Sequence, residues 1–247
     1  MNARRAADWL YSAYVWSLMA LLLPLFGVLI MAVHRPTLAR PVARTGARLL
    51  FRLAGMPLSA SALERLPGAS HILLVNHTSF LDGIALTALL PARPGYAFVV
   101  RQQFPVQRLL CPLLRALGTV VLAPAGAGSH AGNAVRIAHA LRHGGNLVVF
   151  PEAGFVPEPG LRRFHSGAFV AAARVGAPLA PAGLRGAREA LRPRTWFLRH
   201  TTITLKIGLA LQPQASDTAA LMRAARQAML SLSGEPDAGR QRPLVRT

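Results

Sequence analysis

Residues Val75 to Gly83 read Val-Asn-His-Thr-Ser-Phe-Leu-Asp-Gly and follow the apolar run Ile72–Val75. They place a histidine and an aspartate five positions apart, in a turn-like segment just past a predicted strand. Histidine is the side chain suited to take a proton near neutral pH, and a partner carboxylate fixes its tautomer. His77 and Asp82 are therefore a candidate base and its orienting group. On one continuous helix a five-residue step turns about 500°, leaving the two side chains about 140° apart. They meet only if His77 lies in the turn before a helix and Asp82 in its first turns. Ser79 is a natural N-cap, and Ser79-x-x-Asp82 matches a capping box. A helix-starting carboxylate and a hydrogen-bonded loop histidine, doing no chemistry, satisfy the same spacing.

The elements that must position this pair follow from hydropathy. Beyond Gly55-Met56-Pro57, short apolar runs alternate with helical patterns. Strands are expected at Ile72–Val75, Ala97–Val100, Thr119–Leu122, Leu147–Phe150, Leu179–Leu184 and Thr202–Leu211, and helices at 82–90, 105–117, 131–143, 167–176 and 217–232. This order predicts an α/β fold, a single domain with a mostly parallel sheet flanked by helices. Thr202–Ile207 alternates strictly, which fits a strand with one wetter face. Residues 1–55 read as a membrane-associated helical region, 56–232 as the globular domain, and the Gly/Pro/Arg-rich 233–247 as a disordered tail.

No charge falls between Trp9 and Val33, a stretch long enough to span a bilayer. Trp9, Tyr11, Tyr14 and Trp16 cluster at one end like an interfacial belt. Arg4 and Arg5 would suit a signal peptide, but the apolar run is too long and no small-x-small cleavage site follows it. Basic residues flank both ends, and positive charge favours the cytoplasmic side. A helix kinked at Pro24 that enters and leaves on one face fits these flanks, and so does a single span. Arg40, Arg44, Arg48 and Arg52 recur every four residues. They read as a basic amphipathic helix on anionic lipid, with a basic face packed on the globular domain as the alternative.

The chain carries 28 Lys+Arg against 9 Asp+Glu, and Lys206 is its one lysine. Such a balance attracts anionic partners. The apolar segment argues against nucleic acid, as does the lack of aromatics interleaved with basic residues. A lone cysteine, Cys111, excludes a disulfide scaffold and a cysteine zinc site. His139 and His143 have metal-ligand spacing but no third ligand nearby, so no metal is expected. Trp196 and Phe197, among Arg192, Arg194 and Arg199, fit either a membrane contact or a buried aromatic corner.

Asn76-His77-x-Ser79-x-x-Asp82 after an apolar strand and an N-terminal apolar segment resembles the PlsC-like 1-acylglycerol-3-phosphate acyltransferases. Three further stretches match in order: Leu114–Leu122 around Gly118, Leu147–Gly154 around Phe150-Pro151-Glu152, and Ala177–Ala182 around Pro181. The resemblance implies an O-acyltransferase on the inner membrane, its catalytic domain facing the cytoplasm. Its acyl donor would be acyl-CoA or acyl carrier protein, with no other cofactor. Its acceptor would be a lysophospholipid, 1-acylglycerol-3-phosphate first, giving phosphatidic acid. His77 and Asp82 would be catalytic, and Arg101, Glu152, Gly154 and Arg163 would bind substrate. Two customary arginines are missing: the second block ends Leu122-Ala-Pro124, and Glu152 is followed by Ala153, Gly154 and Phe155. Arg101, Arg162, Arg163 and His165 are the candidates to replace them. The departures keep open another acceptor, such as a lyso-ornithine lipid, and a non-catalytic lipid-binding protein of the same fold.

Overall fold

The structure, a computed structural model, describes residues 3–33, 35–101, 110–124, 129–213 and 217–240. Two helices come first, α1 (Ala3–Val33) and α2 (Pro36–Leu53). The sheet strands are β1 (Leu58–Ser61), β2 (Ile72–Val75), β3 (Tyr96–Arg101), β4 (Val120–Leu122), β5 (Asn146–Val149), β6 (Leu179–Arg185) and β7 (Ile203–Ile207). Between and after them run α3 (Asp82–Leu89), α4 (Cys111–Ala116), α5 (Ser129–Arg142), α6 (Gly167–Val175), α7 (Ala187–Ala190) and α8 (Thr218–Ser233). The sheet order is β1-β7-β6-β2-β5-β3-β4, and only the β6–β7 pair is antiparallel among the described residues.

Strands β2 and β5 are buried along their whole length, as continuous apolar runs in the middle of a parallel sheet must be. Alternate residues of β2 serve opposite layers. Leu73 and Val75 join the core beneath α1, α2 and α3, whereas Ile72 and Leu74 join the core with α5, α6 and α8. Strand β7 alternates as its sequence requires, with Lys206 on the wet face. It stops at Ile207 rather than Leu211, because Gly208 packs against the Pro181 carbonyl and Leu211 turns back to pair with Leu179. Strand β1 is too short to stand out in the sequence; Leu58 and Ala60 face the core, and it pairs along β7, Leu58 with Ile203 through Ser61 with Lys206. Of the helix expected at 105–117, residues 110–117 are described, and Cys111–Ala116 of these are helical.

Helix α1 continues unbroken through Pro24, so the chain reverses near Arg35 and not at a proline kink. Its 31 residues extend about 46 Å at helical rise, and residues 6–33 are long and apolar enough to cross a membrane. It packs antiparallel to α2: Tyr11 Oη donates to the Ala54 carbonyl and Tyr14 Oη to that of Leu53, while the Phe26 ring lies where a side chain on Gly46 would stand. The arginine stripe of α2 is partly spent on the protein itself. Arg40 Nε donates to the Leu117 carbonyl and Arg48 Nε to that of Ala88, each at the end of a helix where carbonyls lack partners. Gly118, at φ +72°, gives Arg40 and Pro36 the room they need at that junction.

Residues 233–240 are not a free tail. Helix α8 runs to Ser233, and the chain after it is hydrogen-bonded to the loop that follows β5. Residues 241–247 lie outside the described part.

At the N-terminal edge of the sheet, His71 is 1 % exposed between the Ala69 carbonyl, 2.8 Å from Nδ1, and the Tyr96 hydroxyl, 2.8 Å from Nε2. Burial lowers its pKa, partly opposed by the Ala69 bond, and burial raises that of Tyr96. With its folded pKa depressed, His71 stabilises the fold fully above its unfolded value of about 6.5, and this is lost as pH falls toward the folded value. The thermal midpoint should therefore drop between pH 7.5 and pH 5.5, and His71→Gln should flatten that drop; equal slopes in the two proteins would exclude His71 as its source.

Candidate active site

Ligand sites in open α/β sheets form beyond the carboxyl ends of the strands. Strands β2 and β5 are parallel neighbours, so the segments after Val75 and Val149 leave the sheet side by side. Asn76 marks the exit. Its side chain donates to the Leu184 carbonyl and accepts from the Leu184 amide, extending the β2–β6 ladder while the main chain turns away. His77 thus begins a tight turn, and α3 starts at Asp82.

His77 Nδ1 lies 2.8 Å from Asp82 Oδ2. Asp82 is fully buried, and the same oxygen accepts the amides of Thr78 at 2.6 Å and Ser79 at 2.9 Å. A buried carboxylate needs such donors, and the first turn of a helix adds a favourable dipole. With Nδ1–H donated to Asp82, Nε2 is left as the proton acceptor, and it has no hydrogen-bond partner among the described residues. The imidazole is 19 % exposed. The capping-box reading holds in one half. Asp82 reaches back to the Ser79 amide, but the Ser79 hydroxyl donates to the Leu191 carbonyl and accepts the Leu81 amide. Ser79 is fully buried and ties the turn to a distant loop.

The β5 side closes over the imidazole. Phe150 stacks on it at 4.1 Å, Phe155 meets it edge-on at 4.4 Å, and the exposed Phe80 meets Phe155 in turn. Glu152 is 4 % exposed, and its two oxygens divide their work. Oε1 accepts the His77 amide at 2.9 Å and Oε2 the Arg162 amide at 2.7 Å. Burial raises the Glu152 pKa, and these two amides pull it back down. Glu152 thus clamps two loops through their backbones, one with each oxygen. Ala153 holds φ +55°, a left-handed conformation that a side chain disfavours. Gly154, at φ +154°, lies against the Arg162 guanidinium, whose Nη1 is 3.9 Å from where a Cβ on that residue would stand.

The remaining sequence candidates divide. The Arg162 charge is near enough to act on Glu152. Arg163 is exposed, and no described contact brings it to the pair. Arg101 ends β3 beside β5 and lines a cavity of about 80 Å³ together with Asn133, Phe150, Pro151, Ala153 and His165. Its Nε is buried without a partner among the described residues. His139 and His143 stack at 4.2 Å on the exposed end of α5, where His143 Nδ1 meets the His139 carbonyl. Sequence reasoning missed the aromatic enclosure and the partners of Asn76 and Ser79. Phe80 and Phe155 stood within the quoted motifs, but their meeting depends on the β2–β5 adjacency.

The loop carrying Arg162 is held by the segment after α8. Glu235 Oε2 accepts the Gly160 amide at 2.6 Å, the Pro236 carbonyl accepts that of Leu161 at 2.8 Å, and Arg188 bonds both Glu235 and the carbonyls of residues 156–158. Arg226 pairs with Asp237 while donating to the carbonyls of Leu161 and Arg162. Removing one partner of a buried hydrogen bond costs about 1–3 kcal/mol. Glu235→Ala should therefore speed amide exchange across 160–162 by about tenfold or more, leaving β2 and β5 protected. Unchanged exchange there would refute the clamp. Glu152→Gln, which sets an amide nitrogen against a backbone N–H, should destabilise the fold by a similar amount, read by thermal melting.

A family model described as Acyltransferase matches residues 58–185, more than half of the 247-residue chain. Among solved structures, the fold is similar to that of the 1-acyl-sn-glycerophosphate (LPA) acyltransferase PlsC from Thermotoga maritima. The TM-score is 0.67 at 16 % identity, over 91 % of this chain and 92 % of that one. The family match spans the His77–Asp82 turn, Glu152 and the β6 strand: this chain belongs to the acyltransferase family.

Proposed function

We propose that this acyltransferase moves a fatty acyl group from a thioester, acyl-CoA or acyl carrier protein, to the free hydroxyl of a lysophospholipid at the membrane surface. The observation that carries this reading is the 2.8 Å contact of His77 Nδ1 with a fully buried Asp82, which leaves Nε2 as the ring nitrogen able to accept a proton. Nε2 takes the hydroxyl proton as the oxygen attacks the thioester carbonyl. The C–S bond breaks, and the imidazolium returns that proton to the departing thiolate. Asp82 stabilises the imidazolium and holds its tautomer, so no covalent acyl-enzyme is needed.

The acceptor named first is 1-acylglycerol-3-phosphate, giving phosphatidic acid. Its phosphate would be met by Arg162, held beside Gly154, and by Arg101 across Phe150, since guanidinium groups suit phosphate oxygens. Glu152 and Gly154 act by fixing the Arg162 loop, and Arg163 is left outside this grip. One observation favours a different headgroup. Phe155 stands edge-on to His77 where the resemblance led us to expect an arginine, and an aromatic wall suits an acceptor whose charge lies farther from the reacting hydroxyl, as in a lyso-ornithine lipid. The basic flanks of α1 favour a cytoplasmic catalytic domain on the inner membrane.

Purified protein should transfer acyl groups to one or more lysolipids of a panel. His77→Ala should lower the rate by about 10²–10⁴-fold, and equal rates for the two proteins would sink the catalytic reading. With a phosphate-bearing acceptor, Arg162→Ala should raise KM by about tenfold or more, the worth of one charge-assisted hydrogen bond, and Arg163→Ala should leave it within about twofold, a surface substitution. Indifference to Arg162 would point to the second headgroup class.

A further inference from the structure

Residues 191–199 form a small hairpin that links the catalytic turn to α1. Its base is buried: Leu191 and Leu198 pair antiparallel, and the Arg199 amide donates to the Ala190 carbonyl. The hydroxyl of Ser79, whose amide binds Asp82, donates to the Leu191 carbonyl at 2.8 Å. The far end is docked on α1. Trp16 Nε1 donates to the Trp196 carbonyl at 2.7 Å, and the buried Ser12 hydroxyl accepts the Leu198 amide at 3.0 Å. Trp9 meets Phe197 edge-on at 5.0 Å, and the rings of Trp16 and Trp196 are 5.5 Å apart.

The main chain of this tip is thus fixed, yet its largest side chain, beside the Trp16 ring, stays mostly exposed. Trp196 is 77 % exposed. It extends an apolar face that α1 presents through Trp9 at 63 % and Leu10 at 73 %, and that continues past Leu21, Leu25 and Val28. Arg192, Arg194 and Arg199 stand exposed around it. Isolated exposed leucines need no explanation, but a fixed tryptophan continuous with an apolar helix face and ringed by cations does. Tryptophan prefers the headgroup level of a bilayer, and arginines beside it gain from anionic lipid.

We infer that the Leu191–Leu198 hairpin is a second membrane anchor, supplied by the catalytic domain, with Trp196 seated at the headgroup level of a bilayer containing anionic lipid. The anchor rests on the reading that the enzyme works on membrane lipids, and deepens it. Through Ser79 the hairpin holds the His77 turn at a set distance from the surface, where a lysolipid hydroxyl would lie.

The test uses the full chain in phosphatidylcholine vesicles with and without phosphatidylglycerol. In a Cys111→Ser background, Trp196→Cys carries an environment-sensitive fluorophore, and nitroxide lipids labelled near the headgroup or near the bilayer centre act as quenchers. The shallow quencher should reduce emission by half or more, the deep one much less, with stronger quenching when phosphatidylglycerol is present. No quenching by either would overturn the anchor whatever the enzyme's activity. As a second reading, Trp196→Ala should lower acyl transfer to long-chain lysolipid in anionic vesicles by about tenfold while leaving transfer to a short-chain acceptor dissolved below its micelle threshold unchanged, a split expected when only surface positioning is lost. Equal loss in both assays would make Trp196 a structural residue and also overturn the proposal. Absence of transfer by the parent protein in both assays would count against the acyl-transfer reading, and the quenching result would stand on its own.

Discussion

A carboxylate with no exposed surface is the constraint around which this molecule is arranged. Asp82 lies at the start of a helix, beneath a layer of apolar side chains, where ionisation would cost several kcal/mol without donors. Its donors are the imidazole of His77, two backbone amides and, at 3.5 Å, the Thr78 hydroxyl. Those amides converge only because the chain turns sharply between Val75 and Asp82. The turn in turn requires β2 to stop short, which Asn76 permits by pairing its side chain with Leu184. Ser79 then fixes the outside of the turn to Leu191. The His77–Asp82 pairing is therefore a by-product of satisfying one buried charge, and its geometry inherits the rigidity of a parallel sheet.

Basic side chains take up much of the remaining polar work. Arg40 and Arg48 serve helix-end carbonyls, Arg185 those of Ser231 and Leu232, and Arg188 and Arg226 those of the loop between 156 and 162. A guanidinium offers five donors in a rigid fork and no acceptor, so it suits clusters of unpaired carbonyls. The excess of arginine is thus partly internal fastening, and a composition read only as attraction to anions overstates what is left for lipid.

Sequence patterning located the sheet because its central strands are buried on both faces and read as unbroken apolar runs. It missed β1, whose sequence Leu58-Ser-Ala-Ser61 carries no such signal and which depends on an edge that β7 offers. The His77–Asp82 pair was legible because its geometry is local, five residues within one turn. Glu152 was recognisable by its place after Phe150-Pro151, yet its role was not, since its partners are amides 75 and 10 residues away. The fate of residues 233–240 was misjudged for the same reason. Gly, Pro and acidic residues look disordered until the loop they pair with is known. Arg162 and Arg163 are equivalent in a sequence, and what separates them is the Arg162 amide bond to Glu152 and the place of its guanidinium beside Gly154.

The strap after α8 also bears on how the enzyme comes into being. Helix α1, long and apolar enough to cross a membrane, precedes the whole sheet in synthesis. The loop holding Arg162 is stitched in place by Glu235, Pro236 and Asp237, some seventy residues later in synthesis. A nascent chain can therefore complete the strands of its sheet while the loop holding Arg162 is still unfastened. Fastening of that loop waits until residues 235–237 have been made, after every strand of the sheet among the described residues.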